Sequence, residues 1–485
     1  MRFAIRRFSA SVAFAVLLLA PCFAAAADAP GAAQIERGRY LAKVANCAAC
    51  HTSAGGAPFA GGLPMKTGVG TVYSTNITPD VDSGIGAYSF EEFDRALREG
   101  VARHGKRLYP AMPYPSYAKL AELDVQALYA YLRTEVKAVR QHAAEPEMRW
   151  PFGMRWLLRV WNWLFLESGP VRTDAGQSVA WNRGAYLVQA VAHCSACHTP
   201  RGTLMAEKGL DERSRHFLAG ASVEGWASTN LRGDPRTGLG NWSREDIAEY
   251  LQTGRNTHAT SFGPMSEVIA SSTQFMTRPD LEAVAAYLKS VPGARSDETP
   301  YVYDASTADT LAQGRFDATG ARQYAEFCMP CHGANGKGFA RVFPPLAGNP
   351  TVVDPDPSSL ANLLLDGAVT AHVGTAATDY HMPGYGWTLD NQELANVLTF
   401  IRTGWGNQAS PVKESTVAAR RAALGRQPAE PATHHHQVED FARHHGGIFG
   451  ALAGQAVRER VGARMVAAQP GQRRRVAGAT FGGLQ

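Results

Sequence analysis

The stretch VAHCSACHTP, residues 191–200, sets Cys194, Cys197 and His198 close together. A Cys-x-x-Cys pair can open a zinc site, a redox dithiol or a covalent haem attachment, and the residue that follows decides among them. Here it is histidine. In c-type attachment the two thiols add to the two vinyl groups of the porphyrin, and the neighbouring imidazole turns back to ligate iron. The pattern returns as CAACH (Cys47, Cys50, His51) and CMPCH (Cys328, Cys331, His332), which together absorb six of the seven cysteines. A structural zinc site needs a second Cys or His pair near the first, and these pairs are far apart in the chain. The residues call for three haem c groups.

Thioether attachment in bacteria takes place after export, so the N-terminus should carry an export signal. MRFAIRRFSASVAFAVLLLAPCFAAAADAP begins with Arg2, Arg6 and Arg7, runs into an apolar core and ends in the small residues Ala25–Ala27, the layout of a secretory signal peptide. The core from Ser11 to Ala20 is too short for a spanning helix. Cys22, the seventh cysteine, leaves with the signal. A lipoprotein alternative at Cys22 is the poorer fit, because Pro21 sits beside the bond that would be cut. Either route places the mature chain outside the cytoplasm.

Internal repetition sets the architecture. STNITPDVDSGIGAYSFEEF from Ser74 and STNLRGDPRTGLGNWSREDI from Ser228 align without a gap, each downstream of a CxxCH. Each part of the chain also closes on an acidic residue followed by apolar residues one, four and eight positions on: DVQALYAYL from Asp124, DLEAVAAYL from Asp280 and ELANVLTFI from Glu393. That spacing is one face of a helix, and the acid favours the positive helix N-terminus. A similar helical pattern precedes the haem motifs, as in GRYLAKVANC from Gly38 and GAYLVQAVAHC from Gly184. The expected fold is all-α, in three units of helix, haem loop and helix, the first two being duplicates.

A six-coordinate electron carrier needs a second axial ligand, and methionine sulfur raises the potential relative to a second histidine. Met112 in YPAMPYPSY, Met265 in FGPMSEV and Met382 in YHMPGYGW each lie beside proline, between the haem motif and the closing helix. Proline restricts the backbone that would hold the sulfur. A lone methionine is more often a core filler, but three at matching places point to ligands. Met65, Met276 and His381 are weaker candidates. With both faces of each iron capped, peroxide or oxygen has no open position, which argues against a haem peroxidase.

The formal charge of +5 is uneven. The signal carries three arginines and the stretch from Pro411 carries eleven basic and five acidic residues, so the remaining body is net acidic. A basic excess confined to a signal and a tail does not make a nucleic-acid surface. The tail, with THHHQ and GQRRRVAG, reads as disordered. MRWPFGMRWLLRVWNWLFL, residues 148–166, holds four of the nine tryptophans. Its arginines make a poor spanning helix, whereas Trp and Arg beside Leu and Phe suit a segment lying in a membrane interface or against a partner.

With these residues in place, the chain resembles the three-haem cytochrome c subunits of bacterial membrane-bound dehydrogenases. The likeness runs from about Gln34 to Gly406 and rests on the CxxCH motifs, LYPAMPYPSY, GDPRTGLGNWS, FGPM and GKGFARVFPPLAGNP. It implies three tandem class I cytochrome c-like domains: signal peptide 1–27, domain 1 at 28–137, aromatic linker 138–175, domain 2 at 176–295, linker 296–311, domain 3 at 312–407 and basic tail 408–485. It further implies Cys47, Cys50, His51 and Met112 at the first haem, Cys194, Cys197, His198 and Met265 at the second, and Cys328, Cys331, His332 and Met382 at the third. Electrons would arrive from a separate large catalytic subunit of quinoprotein, flavin or molybdenum type, a small third subunit being a further possible partner. They would leave to membrane quinone or a downstream cytochrome or oxidase at the periplasmic face of the membrane. A free periplasmic shuttle is the alternative. No dinucleotide fingerprint or propeller repeat supplies a substrate-oxidising centre in the chain itself.

Overall fold

The computed structural model describes residues 30–295, 297–374 and 378–426. The expected signal peptide, Cys22 and the tail beyond Arg426 lie outside the described residues. The first unit comprises α1 (Ala32–Val44), the hairpin β1 (Pro64–Thr67) and β2 (Gly70–Tyr73), α2 (Phe90–Glu99) and α3 (Glu122–Thr134). The aromatic segment contributes β3 (Glu147–Met148) and α4 (Leu157–Phe165). The second unit follows with α5 (Val179–Tyr186), β4 (Ala221–Val223), β5 (Trp226–Ser228), α6 (Arg244–Thr253), α7 (Gly263–Ser271) and α8 (Arg278–Ser290). The third has α9 (Ser306–Ala312), α10 (Ser358–Asp366), β6 (Gly367–Val369), β7 (His381–Pro383) and α11 (Asn391–Thr403). Behind it comes α12 (Glu414–Ala423).

Each unit is held where the helical segment that leads into its CxxCH motif meets the closing helix at a glycine. A Cβ on Gly38 would overlap the carbonyl of Ala127, one on Gly184 that of Ala283, and one on Gly320 that of Asn396. Glycine inside a helix costs about 1 kcal/mol relative to alanine, so α1 and α5 carry Gly38 and Gly184 for the close approach they permit. The closing helices bury the faces their spacing predicts: Val125 and Leu132, Leu281 and Leu288, Leu394 and Val397 are all within the cores. Ser89 with Glu92, Ser243 with Asp246 and Asp390 with Glu393 form reciprocal capping boxes that start α2, α6 and α11, satisfying otherwise orphaned amides.

The duplicates pack as a near-symmetric pair around one shared core. Asp124, buried in α3, pairs with Arg37 of its own unit and accepts from the Tyr186 hydroxyl of the other at 2.5 Å. Asp280 of α8 pairs with Arg183 of its own unit (2.7 Å) and accepts from Tyr40 of the other (2.6 Å). The tyrosines are exchanged. Burial alone would raise the Asp280 pKa, but the bonds from Arg183 and Tyr40 hold it below the ordinary value, as a buried charge requires.

The structure differs in detail from the sequence reading at four places. The fold is mostly helical but not all-α: β1, β2 and β3 form an antiparallel sheet, and β4–β5 and β6–β7 are antiparallel hairpins. Strands of two to four residues are too short to show a period of two in sequence. Secondly, the linker is partly folded onto the first unit, since Gly70 pairs with Met148 across the sheet and Leu158 packs with Val72 and Tyr109. Thirdly, the tail does not begin at 408. Helix α12 docks on α10 and α11 with Val417 buried, and the guanidinium of Arg421 is buried against Asn391 Oδ1 (2.7 Å) and the carbonyls of Gly386 and Leu389. Buried arginine is tolerated where carbonyl oxygens surround it, and an Ala/Arg composition conceals such a face. Helix α9 likewise starts inside the expected 296–311 linker, with Leu311 buried.

Candidate cofactor sites

The three motifs lie on single helical turns, Cys47–Cys50, Ser195–His198 and Met329–His332, just after the first long helical segment of each unit. In all three the histidine is fixed by the backbone in the same way. Nδ1 of His51 is 2.6 Å from the carbonyl of Thr75, Nδ1 of His198 is 2.8 Å from that of Thr229, and Nδ1 of His332 is 2.9 Å from that of Pro344. A carbonyl can only accept, so Nδ1 carries the proton and Nε2 keeps the lone pair. That is the second contact a ligating histidine ordinarily makes, setting ring orientation and tautomer. Burial pulls each imidazole pKa below its ordinary value, the carbonyl bond opposing, which favours the neutral, ligating form. The turn is closed by a glycine amide donating back to the histidine carbonyl: Gly61 to His51 (2.7 Å), Gly220 to His198 (2.9 Å) and Gly338 to His332 (3.0 Å).

The cysteines of each pair are unbridged. Burial pushes the Cys47, Cys194 and Cys328 thiols up to about 12. A redox dithiol depends on a depressed thiol pKa, so these environments do not suit one.

The third unit has an apolar cavity at its motif, partly open to solvent. It is lined by Cys328, Cys331, His332 and Met382. Apolar side chains of α10 and α11, among them Leu360, Leu364, Leu398 and Ile401, form its wall. Ligand pockets are characteristically apolar with a few placed polar groups, and this donor set is that of a haem with His/Met ligation. The residues present fit the group. Thr260, Ser261 and Phe262 of the second unit line the same cavity, and Phe262 packs on Trp226 with ring centroids 6.0 Å apart.

Elsewhere the methionines fall as follows. Met112 is half-buried on the first core, as is Cys47, in the turn before Tyr114. Met265 lies in α7, packed with Tyr250 and Ile269 against Ala371 and Val373 of the third unit. Of the weaker candidates, Met65 pairs with Val72 in the first hairpin, Met276 is buried in the core and His381 is exposed in β7. The carbonyls of Thr75 and Thr229 were legible only as parts of the STN repeats, and that of Pro344 only as part of GKGFARVFPPLAGNP.

The cytochrome c family pattern matches residues 35–135, 182–292 and 318–405, one segment for each unit. The chain is 47% identical over 397 residues to the alcohol dehydrogenase (quinone) cytochrome c subunit of Gluconacetobacter polyoxogenes, covering 81% of this chain and 85% of the relative. It is 43% identical over 404 residues to the gluconate 2-dehydrogenase cytochrome c subunit of Pantoea cypripedii, covering 82% and 91%. With the fructose dehydrogenase cytochrome subunit of Gluconobacter japonicus it shares 37% identity over 412 residues, 80% and 82% of the two chains. Three repeats of the same motif geometry, an apolar cavity at the third motif and matches over most of the length establish that this chain belongs to the cytochrome c family.

Proposed function

We propose that the chain is the electron-transfer subunit of a dehydrogenase complex, carries three haem c groups and passes electrons from a separate catalytic subunit to membrane quinone or another respiratory acceptor. The observation that carries this reading is the threefold repetition of one device, a CxxCH turn whose histidine Nδ1 is tied to a backbone carbonyl. The relatives whose names include a dehydrogenase support the catalytic partner. Bound haem supplies reversible one-electron chemistry at iron. The protein's part would be to attach, orient and bury it: Cys47 and Cys50, Cys194 and Cys197, and Cys328 and Cys331 would hold it through thioethers, while His51, His198 and His332, with Nδ1 tied to a carbonyl, would offer Nε2 as ligand. Met112, Met265 and Met382 complete the ligand set, the third of these standing in the same cavity as its histidine. Low-dielectric walls and fixed ligands restrict reorganisation when charge changes.

We place the protein at the periplasmic face of the membrane. Among the described residues no helix is long and apolar enough to cross a bilayer. The exposed tryptophans around α4 would supply a peripheral contact. The deciding experiment is a pyridine haemochrome count on the purified protein, followed by carbon monoxide addition to the reduced form. Three low-spin c haems unmoved by carbon monoxide are expected. Met382→Ala should retain three attached haems and make one of them sensitive to carbon monoxide. Fewer haems, or a Met382→Ala spectrum identical to the parent, would refute the assignment.

A further inference from the structure

The attachment loops of the first two units meet at a single carbonyl. Ala45 follows α1 two residues before Cys47, and its oxygen is 3.2 Å from Nε2 of His193 and 3.3 Å from the Tyr117 hydroxyl. His193 immediately precedes Cys194. Its backbone is left-handed, with φ of 40°, an unfavourable conformation for a residue with a side chain that is found where the surroundings enforce it. Its ring stands edge-on to Tyr117, centroids 5.6 Å apart at 85°. Asn46, at the matching place in the first motif, is also left-handed, with φ of 53°, but among the described residues its Oδ1 is buried with no hydrogen-bond partner. In the third unit the position is Phe327, whose carbonyl accepts from Tyr385 of its own unit. The cross-unit link belongs to His193 alone of the three.

This arrangement makes a nearly continuous path. From Cys194 it runs through the backbone into His193 and its imidazole, crosses one hydrogen bond of 3.2 Å to the Ala45 oxygen, and continues through Asn46 to Cys47. Electron tunnelling decays less along bonds and hydrogen bonds than across empty space, so such a route favours coupling between its ends. We propose that His193 is a positioning residue that couples the first two haem sites and carries electron transfer between them, with Tyr117 holding its ring. The proposal rests on the three-haem reading above. One electron leaves a ferrous centre and reduces a ferric one; the imidazole keeps its proton and no bond forms or breaks.

The test uses the full-length, haem-loaded protein. His193→Phe keeps a ring against Tyr117 and removes the N–H donor, whereas His193→Gln keeps a donor. Flash photoreduction follows electron exchange between the first two haems by their absorbance, alongside midpoint potentials and haem count. The expected result is a several-fold slower exchange in His193→Phe, with three haems and unchanged midpoints, largely restored in His193→Gln. An unchanged rate overturns the proposal, as does a slowing fully explained by shifted midpoints. If His193→Phe fails to load haem, His193→Leu, which also removes the donor to the Ala45 oxygen, decides: slower exchange at constant midpoints supports the link, and an unchanged rate overturns it. A parent protein with fewer than three haems would instead refute the underlying reading, so the two failures are distinguishable.

Discussion

Gly184 shows how much one missing side chain governs. At α5 it brings the helix backbone against Ala283 of α8, and a methyl group placed there would overlap a carbonyl oxygen that cannot move without bending α8. Overpacking costs about 1–3 kcal/mol, occasionally more, which outweighs the helix propensity of roughly 1 kcal/mol that alanine would gain. Gly184→Ala is therefore expected to lower the denaturation midpoint. Gly68→Ala, where the added carbon meets nothing within 4 Å among the described residues, should leave it nearly unchanged. Equal midpoints for both variants in thermal denaturation would show that the crossing is looser than drawn. The three CxxCH turns were legible at this scale because the motif concentrates its chemistry in five consecutive positions. His193 was not: a histidine before a cysteine has no distinguishing spacing, and its partner Ala45 contributes only a backbone oxygen.

Elements were legible in proportion to their length. The thirteen-residue helices α3, α8 and α11 repeat their apolar pattern often enough to be read, while strands of three residues and the buried-arginine face of α12 give no periodic signal. The same region holds a titratable group with a measurable consequence. Asp354, just after a short turn at Pro350–Val353, is buried, and burial pushes its carboxyl up to about 6 from 3.8. One oxygen accepts from the Asp356 amide at 2.9 Å, while the neighbouring Arg402 spends a donor on the Asp354 backbone carbonyl. A folded pKa above the unfolded one means the native state binds the proton more tightly. Its contribution to stability is complete below pH 4 and is lost as pH rises through 6, by about 3 kcal/mol in all. Asp354→Asn removes that titration. Denaturant unfolding at pH 5, 6 and 7 should show the variant gaining on the parent as pH rises, since all other groups titrate alike in both. A difference independent of pH would mean the carboxyl is solvated.

At the scale of the whole molecule, α4 is one-sided. One side of it is pinned: Leu158 packs under Val72, Asn162 bonds Tyr114 (2.7 Å) and the Glu99 carbonyl (2.8 Å), and Trp161 donates to the Leu204 carbonyl at 2.9 Å. The other side is bare. Trp156, Val160, Trp163 and Leu164 recur at helical spacing, with Trp156 62% and Trp163 82% exposed, and Trp150 stands nearby at 85%. The four tryptophans that looked alike in sequence thus divide, Trp161 serving the fold and the other three facing out. Exposed indoles beside Arg149 and Arg159 suit the bilayer interface, where aromatic rings sit among headgroups and cations meet anionic lipid. Partial insertion of two indoles is worth roughly 2 kcal/mol, or about thirtyfold in partitioning. Trp156→Ser with Trp163→Ser should therefore weaken co-flotation with anionic vesicles by about that factor while haem content and reduced spectrum stay constant, because neither ring supports the core. Trp161→Ser should instead loosen α4 and the Leu204 loop. If the double variant floats as well as the parent, the face is not a lipid contact, and the catalytic subunit becomes its occupant, to be tested by whether the same variant still co-purifies with that subunit.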